Sequence, residues 1–160
     1  MLEFKLVKAQ RKLSRMVKFS NNWYKQKNKI AKIHYKIKNS RRDFLHKLST
    51  ELVSKHNAIV IEDLNMKGMS QALKFGKSVS DNGWGMFASM LKYKAELKGK
   101  QFVKIDKFYP SSKTCSFCGA VKKDLKLSDR IYTCECGISI DRDLNASINI
   151  KNQGKLLLKY

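Results

Sequence analysis

Four cysteines and a handful of carboxylates are the side chains best suited to chemistry in this chain. Cys115-Ser116-Phe117-Cys118-Gly119 and Cys134-Glu135-Cys136-Gly137 are two close pairs separated by a fifteen-residue insert. A tetrahedral zinc ion held by four thiolates needs two short loops that a hairpin brings together. Ile131-Tyr132-Thr133 reads as a strand leading into the second loop, and the glycine after each pair leaves the sulfurs open to backbone N–H groups. The second pair has one intervening residue where the usual knuckle has two, which tightens its bite. The plainer alternative is four ordinary reduced thiols, and it leaves the paired spacing unexplained. The expectation is one structural Zn²⁺ on Cys115, Cys118, Cys134 and Cys136, in a ribbon over 111–140. His34, His46 and His56 stand singly in a helical stretch and are not counted as ligands.

The carboxylates of interest are Glu62, which closes the apolar run Ala58-Ile59-Val60-Ile61, and Asp141-Arg142-Asp143, which opens the last helical stretch. Open α/β sheets gather ligands at the carboxyl ends of their strands. Phosphodiester cleavage by paired Mg²⁺ ions takes several acidic side chains from separate elements, because hard cations prefer oxygen. On spacing alone other readings stay open: an Asp at a helix start is commonly an N-cap, and a Glu-Asp pair after a strand is commonly solvated.

These groups need elements to position them. Leu2, Leu6, Ala9, Leu13 and Met16 recur at helical steps, and Phe19-Ser20-Asn21-Asn22 supplies a turn and an N-cap. A longer helix follows, with Trp23, Ile30, Ile33, Ile37, Phe44, Leu48 and Leu52 on its inner face, so two antiparallel helices form a hairpin over 1–57. The apolar run from Ala58 reads as a strand buried on both faces. Leu64 to Ser80 reads as a loop with a short helix, Trp84 to Leu97 as a helix ended by Gly99, and Gln101 to Asp106 as a second strand. Strand, helix, strand in that order implies a parallel right-handed crossover and an α/β core. A short helix from about Asp143 and a tail over 154–160 complete the chain.

Charge narrows the partners. The 160 residues carry 34 Lys+Arg against 13 Asp+Glu, a formal net charge of +21. Met1 to Asn57 holds 16 basic and 3 acidic residues, hence +13, while Ala58 to Pro110 and Ser111 to Tyr160 hold +4 each. Such an excess favours a polyanion, and Lys25, Lys29, Lys32, Lys36, Arg41, Arg42 and Lys113 are the candidate nucleic-acid contacts. The alternative is that the hairpin lysines form only a solvated face. Apolar runs are far too short for a membrane span and no signal-peptide core opens the chain, so the expectation is a cytoplasmic protein with no membrane partner.

Four segments carry a family likeness. They are Ile61-Glu62-Asp63-Leu64-Asn65-Met66-Lys67-Gly68-Met69, then Ser80-Asp81-Asn82-Gly83-Trp84 with Tyr93-Lys94-Ala95-Glu96, then Pro110-Ser111-Ser112-Lys113-Thr114-Cys115, and Asp141-Arg142-Asp143-Leu144-Asn145-Ala146. Together they resemble the OrfB, or TnpB-like, proteins of bacterial insertion sequences, relatives of the compact type V CRISPR effector nucleases. The four look like the second RuvC motif, the bridging helix, the entry to a zinc-bearing target-nucleic-acid-binding module, and the third RuvC motif. The resemblance implies an α/β fold with an incomplete RNase H-like (RuvC-like) core over 58–110 and 141–153, an N-terminal basic helical hairpin and an inserted zinc ribbon. It implies RNA-guided DNA cleavage, with Glu62 and Asp143 as Mg²⁺ ligands and Asp141 supporting them. Its first RuvC motif, an Asp in a Gly-Ile-Asp-like strand, has no counterpart here. Asp43 lies on the long helix and cannot replace it, and Asp106 is the nearest reserve carboxylate. The chain therefore looks like the C-terminal part of such a protein, transposon-encoded, binding DNA and guide RNA, not catalytic alone, and partnered by the missing part or a full-length paralogue. The competing class is a non-enzymatic basic zinc-ribbon protein of ribosomal or regulatory type, which has no need of Glu62 and Asp143.

Overall fold

A computed structural model describes residues 1–65, 83–126 and 128–158. The chain divides into two compact units, Met1–Ser49 and Thr50–Tyr160. The first holds α1 (Leu2–Ser14) and most of α2 (Asn21–Lys55). The expected stripe is the inner face of α1, where Ala9 is buried and Leu2, Leu6 and Leu13 are half-buried, and Met16, just past the helix end, is half-buried too. Phe19 takes a left-handed φ of 67° at the turn, and Ser20 caps α2 by accepting the Trp23 N–H at 3.2 Å. Gln26 is buried and donates its amide to the Ala9 carbonyl at 2.8 Å, a polar tie between the two helices. One inner position differs from the sequence reading. Phe44 is exposed and Leu45 is buried in its place, because the buried row steps from Leu45 to Ser49.

In the second unit the last turns of α2 precede β1 (Ala58–Glu62), α3 (Trp84–Leu97), β2 (Gln101–Ile105), β3 (Ile131–Thr133), β4 (Ser139–Asp141) and α4 (Arg142–Leu157). β1 and β2 pair in parallel with Ala58 opposite Gln101 and Glu62 opposite Ile105, as the strand-helix-strand order requires. α3 ends in the expected glycine cap. Gly99 has φ +62° and donates to the Glu96 carbonyl, while the Lys100 N–H reaches back to Ala95 at 2.8 Å. The Lys100 ammonium also meets the final carbonyls of α2, at 2.5 Å from Val53 and 3.0 Å from Ser54. Val53, Ile61, Ala88 and Leu91 form the core, with Leu52, Ile59, Trp84, Phe87 and Phe102 packed on it.

β1 is less covered than its apolar run suggests. Only Ile61 is buried and its neighbours are half-buried, since β2 is its sole strand partner among the described residues. α4 packs across both strands and is longer than expected, running to Leu157 through part of the stretch read as a tail. Gly154 makes the close approach: a Cβ there would lie 2.3 Å from a Val60 methyl. The expected loop from Leu64 to Ser80 lies, beyond Asn65, outside the described residues, as does Ser80-Asp81-Asn82.

Candidate metal centre and carboxylate site

The cysteine module is built as two hairpins. β3 and β4 run antiparallel, with Tyr132 opposite Ile140, and Thr114 bridges to Val121 in the first knuckle. Each knuckle turns on its glycine. Gly119 (φ +78°) donates to the Cys115 carbonyl and Gly137 (φ +92°) to that of Cys134, both at 3.0 Å, a left-handed geometry only glycine adopts without strain. Tyr132 is fully buried between the hairpins, and its hydroxyl donates to the carbonyls of Lys113 at 3.1 Å and Ala120 at 3.4 Å.

The four sulfurs converge. All lie within 4.8 Å of one another, with Cys115 and Cys136 at 3.7 Å and Cys118 and Cys134 at 3.6 Å. Zinc–thiolate bonds of about 2.3 Å in a tetrahedron set sulfur–sulfur edges of about 3.8 Å. The donor set and its dimensions therefore fit a metal such as zinc, and the short second pair reaches its place. Burial opposes ionisation of Cys115, yet N–H groups of Cys118 and Phe117 and the thiols of Cys118 and Cys136 draw it down to about 7. At Cys136 the Ile138 N–H acts in the same lowering sense, but burial and the three neighbouring sulfurs push it up to about 12. Burial, then the charge of the four thiolates, raises the Tyr132 phenol. One thiolate near neutrality, stabilised by backbone dipoles, is a cluster poised to exchange protons for a cation.

The carboxylates sit where the strand end and the helix start place them. Glu62 ends β1, half-buried, and accepts a short hydrogen bond from the buried Ser111 hydroxyl. Asp141 is the N-cap of α4: one oxygen accepts the N–H groups of Asp143 and Leu144, each at 2.9 Å. The capping role left open by the sequence is thus taken by Asp141. Asp143 is exposed, with the Arg142 guanidinium at 3.5 Å. Glu62 and Ser147 line one groove of about 470 Å³ together with Trp84 and Lys151. Asp143 stands one turn before Ser147 on the same face of α4. Asp106 is engaged elsewhere, accepting the Phe108 N–H at 2.6 Å, and Asp63 pairs with Lys104 at 2.7 Å. Among the described residues, the cysteine quartet is the only group of three or more His, Cys, Asp or Glu close enough to share an ion. Two carboxylates from separate elements are the right donor type for Mg²⁺ but too few to hold two ions.

In the first unit Lys25, Lys29, Lys32, Lys36 and Arg42 are exposed and Arg41 is half-buried. Lys113, in the second unit, lies 3.5 Å from the Lys123 carbonyl.

Two family models match this chain in succession: "Probable transposase" (OrfB_IS605) over residues 2–73 and "Cas12f1-like, TNB domain" over 84–150. The chain belongs to the TnpB-like, OrfB family. A Streptomyces pristinaespiralis protein named "Putative RNA-guided DNA endonuclease" is 45% identical over 94% of this chain and 37% of its own length. InsQ of Escherichia coli, with the same description, is 38% identical over 96% of this chain and 42% of its own length. Mimivirus TnpB-like protein L79 is 32% identical over 89% of this chain and 29% of its own. The chain thus spans about two fifths or less of these relatives. A cryo-EM structure of a Cas12f1–sgRNA–target DNA complex shares the fold, with a TM-score of 0.64 at 20% identity, over 94% of this chain and 42% of that one. No helix among the described residues is long and apolar enough to cross a membrane.

The site also contains residues that the sequence pattern does not mark. Asn145 is fully buried, accepting the Ser116 N–H at 2.9 Å and donating to the Thr114 carbonyl at 2.7 Å. Asn149, one turn on, donates to the carbonyls of Ser111 at 2.9 Å and Thr114 at 2.6 Å. Through Ser111 this polar staple runs from the first knuckle to Glu62. The only sequence signal was two asparagines four apart on a helix, a spacing that puts them on one face.

Proposed function

We propose that this chain is the nucleic-acid-binding and metal-ligating portion of a transposon-encoded, RNA-guided DNA endonuclease, carrying two of its three RuvC carboxylate motifs and not catalytic alone. The observation that carries the reading is the meeting of β1 and α4: Glu62 at the strand's carboxyl end shares a groove with the helix face that Asp143 opens. In this reading 58–110 and 141–153 form the partial nuclease core, 111–140 a zinc ribbon and 1–57 the basic hairpin. Magnesium, when bound, supplies Lewis-acid stabilisation of the attacking and leaving oxygens. The chain's own residues prepare for it. Ser111 holds one oxygen of Glu62 and leaves the other free for a cation, and Asp141 fixes the first turn of α4 and so the start point of Asp143. The partners are DNA and a guide RNA, with the third carboxylate supplied by a further segment or a full-length paralogue.

Fluorescence anisotropy of labelled RNA stem-loops and duplex DNA tests the binding half of this reading. If about six phosphates are neutralised, log K falls against log salt with a slope near −5. Absence of binding to either at 50 mM salt overturns it.

A further inference from the structure

The first unit contains a groove that no reading above uses. It lies between α1 and α2, encloses about 900 Å³, and is walled by Lys5, Lys8, Arg11, Lys12 and Arg15 on one side and Lys29 on the other. Lys5, Lys8, Lys12 and Arg15 follow steps of three and four residues, so they form one ridge along α1. Of the two carboxylates in this unit, Glu3 lines a different hollow and Asp43 pairs with Lys47 at 2.7 Å. Among the described residues the groove's cations have no ion pair with a carboxylate. The floor includes Ala9 and Gln26, whose hydrogen bond at 2.8 Å sets the distance between the walls before any ligand arrives.

Resting on the nucleic-acid-binding reading above, we propose that this groove is the seat for a phosphodiester backbone, and that the α1 ridge rather than the +13 field as a whole supplies its contacts. Neighbours along the α1 ridge stand three and four residues apart, about 5–6 Å between Cβ atoms and inside the roughly 8 Å screening length of physiological salt, so they repel one another until a polyanion enters. Releasing that repulsion together with condensed counterions drives binding at this place. Lys29 is the only groove cation among the lysines singled out from the sequence. Lys25, Lys32 and Lys36 flank it on the same side of α2 and extend that wall outward. Lys27 and Lys38 lie about half a turn round the helix, facing away.

The test compares two full-length triple variants that remove the same charge. One changes Lys8, Lys12 and Arg15 to Gln, the other Lys27, Lys38 and Lys47 to Gln. Each is titrated against a structured RNA and a duplex DNA, and helix content by circular dichroism checks that α1 and α2 persist. The groove predicts that the first variant binds roughly a hundredfold more weakly at 100 mM salt and that its slope falls from near −5 to about −2 or −3. The second keeps its slope within about one. A greater loss with RNA assigns the groove to the guide, and a greater loss with DNA assigns it to the target. Exchanging Lys8 and Lys12 for Arg keeps the charge and preserves binding, so a loss in that variant counts against the proposal. Equal losses in the two triple variants overturn the groove while leaving nucleic-acid binding intact, and failure of the unaltered chain to bind overturns both.

Discussion

Replacing Asn149 by Leu removes two of the hydrogen bonds that hold the first knuckle to α4, at 2.9 Å to the Ser111 carbonyl and 2.6 Å to that of Thr114. The site is buried, and Leu is of similar size, so packing is largely kept. Thr114 retains Asn145 as a donor, at 2.7 Å, whereas Ser111 loses the bond from Asn149. Two net hydrogen bonds of about 1 kcal/mol each, plus about 1–3 kcal/mol for stranding a buried carbonyl, give about 3–5 kcal/mol. Burial of the Leu side chain returns about 1 kcal/mol, leaving about 3 kcal/mol. For a unit of this size that lowers the melting temperature by roughly 10 °C. The assay is urea unfolding of the zinc-loaded protein in a Trp23→Phe background, so that Trp84 alone reports the second unit. Release of zinc to a chromogenic chelator should quicken in parallel. A loss below about 0.5 kcal/mol, within the range of ordinary surface substitutions, with unchanged zinc release would refute the staple.

Elemental analysis should find one zinc per chain, and Cys118→Ser should unfold the module locally, since a structural zinc of this kind is worth on the order of 10 kcal/mol. Well under one equivalent in the unaltered protein contradicts the metal centre. The pH dependence has a definite sign. Zinc takes four thiolates, and in the metal-free cluster Cys115, drawn down to about 7, is only about half ionised at pH 7, so binding there should release between about three and four protons and weaken as pH falls. Calorimetry in two buffers of different ionisation enthalpy measures the number, and a release near zero would show that the sulfurs are not the ligands. Gly154→Ala drives a methyl into Val60 and should cost about 1–3 kcal/mol despite the better helix propensity of Ala, with Val60→Ala recovering part of it. A neutral or stabilising effect would mean that α4 and β1 are not in contact.

What was legible in the sequence followed from periodicity and short-range chemistry. Leu2 to Met16 announced one helix face, Ser20 a cap and Gly99 a helix end, and the order of Ala58–Ile61, Trp84–Leu97 and Gln101–Asp106 gave a parallel pair. The cysteine quartet was legible because ligand spacing is local within each pair. Phe44 was misplaced by one residue because both it and Leu45 fit an apolar stripe drawn at helical steps, and packing alone decides between them. Ser111, Asn145 and Asn149 are not legible because their partners, the Glu62 carboxylate and backbone carbonyls and amides, lie about thirty or more positions away, which no spacing rule reveals. The α1 ridge is not legible in the sequence, because a groove exists only once the two helices are packed.

Cleavage tests the central claim most directly. The 160-residue chain, given Mg²⁺, a guide RNA and target DNA, should bind but not cut. Supplied with the first-motif strand and RNA-binding region of a TnpB-like relative, fused or in trans, it should cut, and Glu62→Ala or Asp143→Ala should each abolish that activity. Cutting by the chain alone that Glu62→Ala removes, or cutting by the completed protein that survives both substitutions, would contradict the assignment of these two carboxylates to a partial nuclease site.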